Sequence, residues 1–328
     1  MKNIPGTKEQ FMHSLELCAG AGGQAIGMEK AGFEHEGLVE IDKHCCETLR
    51  LNRPNWNVIK DDLRLFKDRA ADFKGVELVA GGLPCPPFSV AGKQLGALDE
   101  RNLFPDALDI IDATRPKAVL IENVRGFLDA VFEDYRAHFK RQLRKLGYEC
   151  DWRLLNASDF GVPQLRPRVA IVATKREYWS NFEWPCTERY NPQTVGETLY
   201  ELMAANGWRG AKAWRDRADE IAPTLVGGSK KHGGPDLGPT RARQAWAKLG
   251  VEGRTIAEGA PEPDFVGMPR LTVEMAALIQ GFPKEWKIAG RKTNAYRQVG
   301  NAFPPPVAAA VATQLREAIS VRRSLAVA

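Results

Sequence analysis

Leu15-Glu16-Leu17-Cys18-Ala19-Gly20-Ala21-Gly22-Gly23 is the stretch that decides the fold. An apolar strand, Ser14–Cys18, runs straight into a glycine turn, and a helical pattern follows from about Gln24 to Ala31. Glycines between a strand and a helix let backbone amides approach a ligand at the helix N-terminus. An ordinary tight turn uses the same residues, so the surroundings must decide. The second strand, Gly37–Glu40, ends in an acid. A carboxylate about 20 residues beyond such a turn can accept hydrogen bonds from a ribose diol. Lys60-Asp61-Asp62-Leu63 then puts another carboxylate after a third strand. Together these describe a pocket for an adenosine-bearing cofactor, and the spacing does not say which one.

Outward from this pocket, short apolar runs alternate with helical patterns. A helix near His44–Asn52 is stopped by Pro54, strands are expected at Glu77–Ala80 and Ala118–Ile121, and a helix around Pro105–Thr114 lies between them. Val169–Ala173 is a further β-branched strand. Alternation of this kind predicts an α/β fold with a mostly parallel sheet. Residues 186–268 differ, being rich in Gly, Pro and charge, with turn signals such as GGSKKHGGPDLGP. Helical pattern returns at Thr272–Gln280, and a helix from about Pro306 to Ile319 closes the chain. We therefore expect one domain from 1–185 plus 290–328 and a smaller, loop-rich one at 186–289.

Composition narrows the class. With 328 residues and 44% hydrophobic content, the chain can build a sizeable core. It has no run of 18 apolar residues, so no membrane span is expected, and MKNIPGTKEQ lacks the apolar centre of a signal peptide. A cytoplasmic protein is the expectation. Six cysteines (18, 45, 46, 85, 150, 186) show no CxxC pair and no zinc-ligand spacing, so neither disulfides nor a metal are expected. Nine Lys/Arg against four acids between Arg209 and Lys248 give that segment a charge of +5. A solvated face would also look like this; so would a surface for a polyanion.

Three further motifs carry chemistry. Gly81-Gly82-Leu83-Pro84-Cys85-Pro86-Pro87-Phe88-Ser89 follows a strand, so its cysteine sits at the carboxyl edge of the sheet, where open α/β folds bind ligands. Its three prolines restrict the backbone that carries the thiol. The strand Ala118–Ile121 leads directly into Glu122-Asn123-Val124, and a carboxylate at the end of a buried strand is costly unless it has a task. Gln164-Leu165-Arg166-Pro167-Arg168 places two guanidiniums on alternate positions of one face.

The ordered set AGAGG, PCPPFS, ENV, QLRPR and Gly300-Asn301-Ala302 resembles the motif series of bacterial DNA (cytosine-5-)-methyltransferases of restriction–modification systems. The resemblance runs from Leu15 to about Val307 and lapses only in the variable region. It implies a class I S-adenosylmethionine-dependent methyltransferase: a Rossmann-like, mostly parallel sheet carrying a smaller target-recognition domain. It further implies methyl transfer to C5 of a flipped-out cytosine through a covalent adduct between Cys85 and C6. Glu122 would hold cytosine N3 and the exocyclic amine, Arg166 would bind O2, and Arg168 would brace the site. For the cofactor, the resemblance implies the turn Cys18, Ala19, Gly20, Ala21, Gly22 and Gly23. Glu40 would take the ribose, Ile41 an adenine face and Asp62 with Leu63 the adenine edge. Pro84, Asn301 and Ala302 would complete the pocket. Two departures stand out. Cys18 replaces a phenylalanine frequent in the family, and Pro86 replaces a glutamine after the nucleophile.

Double-stranded DNA is the implied partner. Expected contacts are Ser89 and Gln94 beside the nucleophile, Thr224 and Leu225 of a Pro-Thr-Leu element, Lys230 and Lys231 in the glycine-rich loop, and Arg215, Arg217, Arg241 and Arg243. Trp208, Trp214 and Trp246 are expected in the core. A monomer without a membrane is expected, nucleoid-associated, with a restriction endonuclease sharing its site but not forming a stable complex. Other readings weighed were a tRNA cytosine methyltransferase, whose Cys-Phe-Thr signature is absent, a non-catalytic DNA-binding regulator, and a nicotinamide oxidoreductase. The last leaves the Pro-Cys and Glu-Asn-Val motifs unexplained.

Overall fold

A computed structural model describes residues 11–84, 102–187, 191–227 and 234–320. The first half alternates as expected: β1 (Met12–Leu17), α1 (Gly23–Lys30), β2 (Phe33–Glu40), α2 (Lys43–Asn52), β3 (Val58–Lys60), α3 (Leu63–Phe66) and β4 (Leu78–Gly82). Then come α4 (Phe104–Thr114), β5 (Ala118–Val124), α5 (Glu133–Lys145), β6 (Tyr148–Asn156), β7 (Pro167–Lys175) and α6 (Arg176–Trp179). The described strands form one seven-stranded sheet ordered β3-β2-β1-β4-β5-β7-β6. Pairing is parallel from β3 through β5, and β7 runs antiparallel to both its neighbours. This is the mostly parallel α/β sheet of class I methyltransferases.

Strand order reverses between β1 and β4, which makes their carboxyl ends the switch point where such sheets bind ligands. Register lines the ends up: Leu17 pairs with Gly81, Gly81 with Ile121, and Gly82 with Glu122. The Ala118 strand extends through Val124, so Glu122 and Asn123 belong to the strand itself. Sequence periodicity did not bring out α5 or β6. YECDWRLLN alternates poorly because β6 is an edge strand, and its Arg153 and Leu154 are exposed.

Helices cover both faces, as a buried parallel sheet requires. Leu15, Leu17, Val79, Val119 and Ile121 pack under α3, α4 and α5, where Phe104 stacks on Phe127 at 5.6 Å. On the other face Leu78, Ala80, Leu120 and Val172 meet α1 and the closing helix α12 (Pro305–Ser320). The helix α1 lies so close to α12 that a Cβ on Gly27 would meet Ala308 Cβ and sit 2.7 Å from the Ala309 nitrogen.

The segment expected to be loop-rich carries α7 (Val195–Met203), α8 (Ala211–Arg217) and α9 (Thr240–Lys248) between irregular stretches. Thr194 begins α7 with a capping box closed by Glu197. Next come α10 (Val273–Ile279) and α11 (Lys292–Asn301). Trp208, Trp214 and Trp246 are all buried, as the sequence reading held. Their cluster is continuous with Ala19, Ala21, Ile26 and Leu49 around the glycine turn. Packing thus runs without a break from the recognition segment to the pocket.

In an isolated helix, alanine at position 27 would be favoured over glycine by about 1 kcal/mol. Here we expect the opposite sign: Gly27→Ala should destabilise by about 1–3 kcal/mol through overpacking against α12. Urea denaturation would check this, and a stabilised variant would contradict the helix contact.

Candidate active site

The glycine turn is built from left-handed residues at every second position: Cys18 (φ 54°), Gly20 (φ 55°) and Gly22 (φ 86°). For a cysteine this conformation costs about 1–2 kcal/mol, so the surroundings must hold it. Ala19 N–H bonds Val39 O at 3.1 Å, and Gly22 N–H bonds Ala19 O at 3.0 Å. A Cβ on Gly22 would lie 2.8 Å from Leu49 Cδ2, while one on Gly20 would meet nothing within 4 Å. Gly20 therefore faces open space, a cradle at the head of the pocket.

Glu40 ends β2 beneath this turn. Its carboxylate accepts from Gly20 N–H and Asp42 N–H, each at 2.7 Å. Burial pushes its pKa up, and these donors pull back. Beside it Ile41 is 61% exposed, a large apolar side chain left open at the strand end. Asp62 caps α3 by accepting from Arg64 N–H at 3.0 Å, and Leu63 is buried. From the far end of the chain, Asn301 is exposed at the end of α11 and Ala302 is buried. An open glycine cradle, a ribose-height carboxylate and an uncovered apolar face fit the parts of S-adenosylmethionine.

Two residues of this region had no role in the sequence reading. Trp286 donates its indole N–H to Ala21 O at 3.1 Å and packs behind Gly22. It comes from 265 residues away, a distance no local pattern bridges. Glu16 is fully buried on β1, with its Oε2 left without a hydrogen-bond partner. Burial first, and the Glu40 charge second, push its carboxyl well above the usual range. Its alternation with Leu15 and Leu17 was visible in the sequence, although it reads there as an ordinary polar strand position.

At the mouth of β5, Glu122 is buried and Arg168 Nε lies 2.8 Å from its Oε1. The antiparallel register explains this: Glu122 pairs with Ala170 and Val124 with Arg168, so the two side chains meet diagonally on one face. Burial raises the Glu122 pKa, opposed by the charges of Arg168 and then Arg166. A Cβ on Gly82 would lie 3.6 Å from Glu122 Oε2 and 3.8 Å from Cys18 O. The end of β4, the glycine turn and the acid therefore converge. Pro84 is half-buried where the chain leaves β4, and Cys85, Ser89 and Gln94 fall outside the described residues.

The expected roles of the two arginines require correction. Arg166 is wholly buried, donating from Nη1 to Leu225 O at 2.7 Å and from Nη2 to Gly300 O at 2.7 Å and Ala302 O at 3.1 Å. Its terminal nitrogens are spent on main chain, so the open guanidinium beside Glu122 is that of Arg168. Alternation did put both near the acid; it could not show which one the backbone takes.

Several DNA-contact expectations also change. Leu225 is buried, its N–H donating to Gln164 Oε1 at 2.8 Å, which removes its side chain from the surface. Arg217 donates to Lys248 O and Ala247 O at 3.3 and 3.1 Å, capping the end of α9. Arg215 lies over the Tyr200 ring and pairs with Asp216 at 2.8 Å. Thr224 donates its hydroxyl to Leu165 O. Arg241 is exposed and Arg243 half-exposed on α9, while Lys230 and Lys231 fall outside the described residues.

This sheet with its pocket at the β1–β4 switch defines a class I S-adenosylmethionine-dependent methyltransferase. The profile of the family "C-5 cytosine-specific DNA methylase" matches residues 12–317. The type II methyltransferase M.NgoMIV of Neisseria gonorrhoeae is 54% identical over 309 residues, covering 93% of this chain and 97% of the relative. M.NaeI of Lentzea aerocolonigenes is 51% identical over 322 residues, covering 95% and 76%. Among solved structures, a putative DNA modification methyltransferase encoded within an E. coli prophage aligns with TM-score 0.65 at 20% identity over 94% of this chain and 100% of that one. Spodoptera frugiperda DNMT2 aligns at 0.61 and 21% identity, covering 93% and 100%; at such identities these two show the fold. The chain belongs to the C-5 cytosine-specific DNA methylase family, and it is a DNA (cytosine-5-)-methyltransferase of the bacterial restriction–modification kind.

Glu16 gives a pH test. Its folded pKa is raised, so its contribution to stability is complete below the ordinary value of 4.5 and lost as pH rises through the raised one. Glu16→Gln should flatten the fall in melting temperature as pH rises above the ordinary value of 4.5, and exceed the parent protein once the raised pKa is passed. A variant with an unchanged pH profile would show that Glu16 does not titrate as described.

Proposed function

We propose that the protein transfers a methyl group from S-adenosylmethionine to C5 of a cytosine turned out of a specific duplex DNA sequence, through a covalent adduct between Cys85 and C6. The observation that carries this is the buried Glu122–Arg168 pair beside Gly82, three positions before Cys85 on the same chain. An acid and a guanidinium held together at a sheet's carboxyl edge match the N3 and O2 edge of cytosine.

The pocket residues that would hold the cofactor are the Cys18–Gly23 turn, Glu40, Ile41, Asp62, Leu63, Pro84, Asn301 and Ala302. When bound, S-adenosylmethionine supplies the methyl group on an electrophilic sulfonium. The thiolate of Cys85 adds to C6 of the base while Glu122 donates a proton to N3. Burial favours this role, because it raises the Glu122 pKa above the ordinary carboxylate value and so favours the protonated form. Arg168 steadies the charge gathering on O2, and Arg166 fixes the backbone around it, an exchange of the roles read from sequence. The C5 so activated takes the methyl group. Loss of the C5 proton, elimination of Cys85 and return of the N3 proton to Glu122 then release the base.

Burial holds Cys18, Cys45, Cys46 and Cys150 as neutral thiols, so none of these four suits the nucleophile's role that the Pro-Cys motif gives to Cys85. The 186–289 segment serves as the target-recognition domain, with Arg241, Arg243, Lys230, Lys231 and Thr224 toward DNA. The protein works as a cytoplasmic monomer, and a restriction endonuclease of the same site acts separately.

Bisulfite sequencing of a plasmid from an expressing host should show one methylated cytosine in one recurring sequence. Absence of any such site would overturn the reading. Duplex DNA carrying 5-fluorocytosine there should trap the enzyme in the presence of S-adenosylmethionine, since fluorine cannot leave C5 as a cation. Mass spectrometry should place the crosslink on Cys85, and a crosslink on Cys18, Cys45 or Cys46 would sink the mechanism. Glu122→Gln should lower kcat by roughly 10²–10⁴-fold; near-normal turnover would exclude Glu122 as the acid.

A further inference from the structure

Behind the pocket lies a ring of buried hydrogen bonds, closed to solvent, that reaches the expected cofactor pocket through Ala302. Gln164, Arg166 and Gln280 are each fully buried. Leu225 N–H donates to Gln164 Oε1 at 2.8 Å, and Gln164 Nε2 donates to Gln280 Oε1 at 2.8 Å and Ile279 O at 3.2 Å. Gln280 Nε2 in turn donates to Ala302 O at 2.5 Å. Arg166 closes the ring by donating to Leu225 O, Gly300 O and Ala302 O. Each amide nitrogen donates and each amide oxygen accepts, so one orientation of both glutamines satisfies the whole ring.

The ring joins four stretches of the chain, around Gln164–Arg166, Leu225, Gln280 and Gly300–Ala302. Leu225 follows Thr224 in the recognition segment, and two residues later Gly227 passes so close to Gly300 that a Cβ on Gly300 would sit 2.5 Å from Gly227 Cα. Gly300 and Ala302 flank Asn301 at the cofactor pocket. Gln280 closes α10 and belongs to neither side.

We propose that Gln280 is a positioning residue that sets the recognition segment and the Gly300–Ala302 turn in one mutual register, so that target discrimination and cofactor affinity depend on the same buried amide. The inference rests on the functional reading above for what the two segments touch. Physically, Ala302 O has two donors, and Gln280 is the one that links it through Gln164 to Leu225. A buried amide network that is complete specifies one arrangement; one that has lost a member leaves polar groups unsatisfied and lets the segments shift.

The test is Gln280→Met, which keeps the volume and removes both polar atoms. Calorimetry with S-adenosylhomocysteine should show affinity about tenfold weaker. The ratio of kcat/KM on the methylated sequence to that on single-base variants should fall several-fold, while kcat at saturating cofactor and cognate DNA stays within about threefold. Gln164→Met should act through the same ring, so the double variant should match the larger single effect rather than their product. If Gln280→Met does not fold, Gln280→Glu keeps the acceptor for Gln164, loses the donor to Ala302 when ionised, and should again weaken S-adenosylhomocysteine binding. A folded variant with unchanged cofactor affinity and unchanged discrimination, or multiplicative effects in the double variant, would overturn the proposal. Failure of the parent protein to methylate DNA would instead remove the functional reading; a normal parent matched by its variant removes this inference alone.

Discussion

A carboxylate buried at the end of a strand must either keep its proton, as burial favours at Glu16, or find a cation, and much of this architecture follows from supplying one to Glu122. An unpaired charge there would cost several kcal/mol, a large part of the margin of a typical domain. A parallel neighbour for β5 would have to enter from the far edge and bring its own carboxyl end to the site. The antiparallel β7 instead arrives at the site with its beginning, where Pro167 and Arg168 stand, and its register sets Arg168 diagonally across from Glu122. The acid is thus tuned by two opposed effects, desolvation and a guanidinium at contact distance. Burial is the larger effect, so the carboxyl pKa ends above its ordinary value.

The second constraint is that the core of the 186–289 segment is continuous with the residues around the glycine turn. Its tryptophans share one apolar cluster with Ala19, Ala21 and Leu49, and Trp286 ties that cluster to Ala21 O. Main-chain contacts reinforce this, since Ala222 N–H bonds Pro163 O and Leu165 N–H bonds Ala222 O. The segment can therefore be changed on its outer side, where Arg241 stands exposed, more readily than on the side that packs against the turn. Arg217 illustrates the limit. Its charge suggests a DNA contact, yet its donors are committed to the carbonyls that end α9.

Much of the sheet was legible because strands buried on both faces read as continuous apolar runs, as in Ala118–Ile121 and Val169–Ala173. The edge strand Tyr148–Asn156 lacked that signal, since one side of it meets solvent. At the site, the glycine turn, Glu40 and Glu122 were legible because each ends a strand or interrupts an apolar pattern. The division of labour between Arg166 and Arg168 was not. Both are arginines at alternate positions, and what separates them is a set of carbonyls contributed by residues 59 to 136 positions away. Gln164 was visible within its motif but had no task that periodicity or charge could assign. Gln280 and Trp286 gave no local signal at all, because their partners, Gln164, Ala302 and Ala21, are remote in sequence and only the tertiary fold brings them close.

Electrostatics around the turn complete the logic of the pocket. Glu16 and Glu40 are both buried there, and each burial raises a carboxyl pKa, with the Glu40 charge adding to the shift of Glu16. The same acids, with Asp62, push the Cys18 thiol up, so that no thiolate forms next to the cofactor turn. Acid accumulation of this kind is unfavourable in an empty pocket and favourable next to a positive charge. The left-handed Cys18 is held by its surroundings, since Ala19 N–H bonds Val39 O at 3.1 Å directly after it.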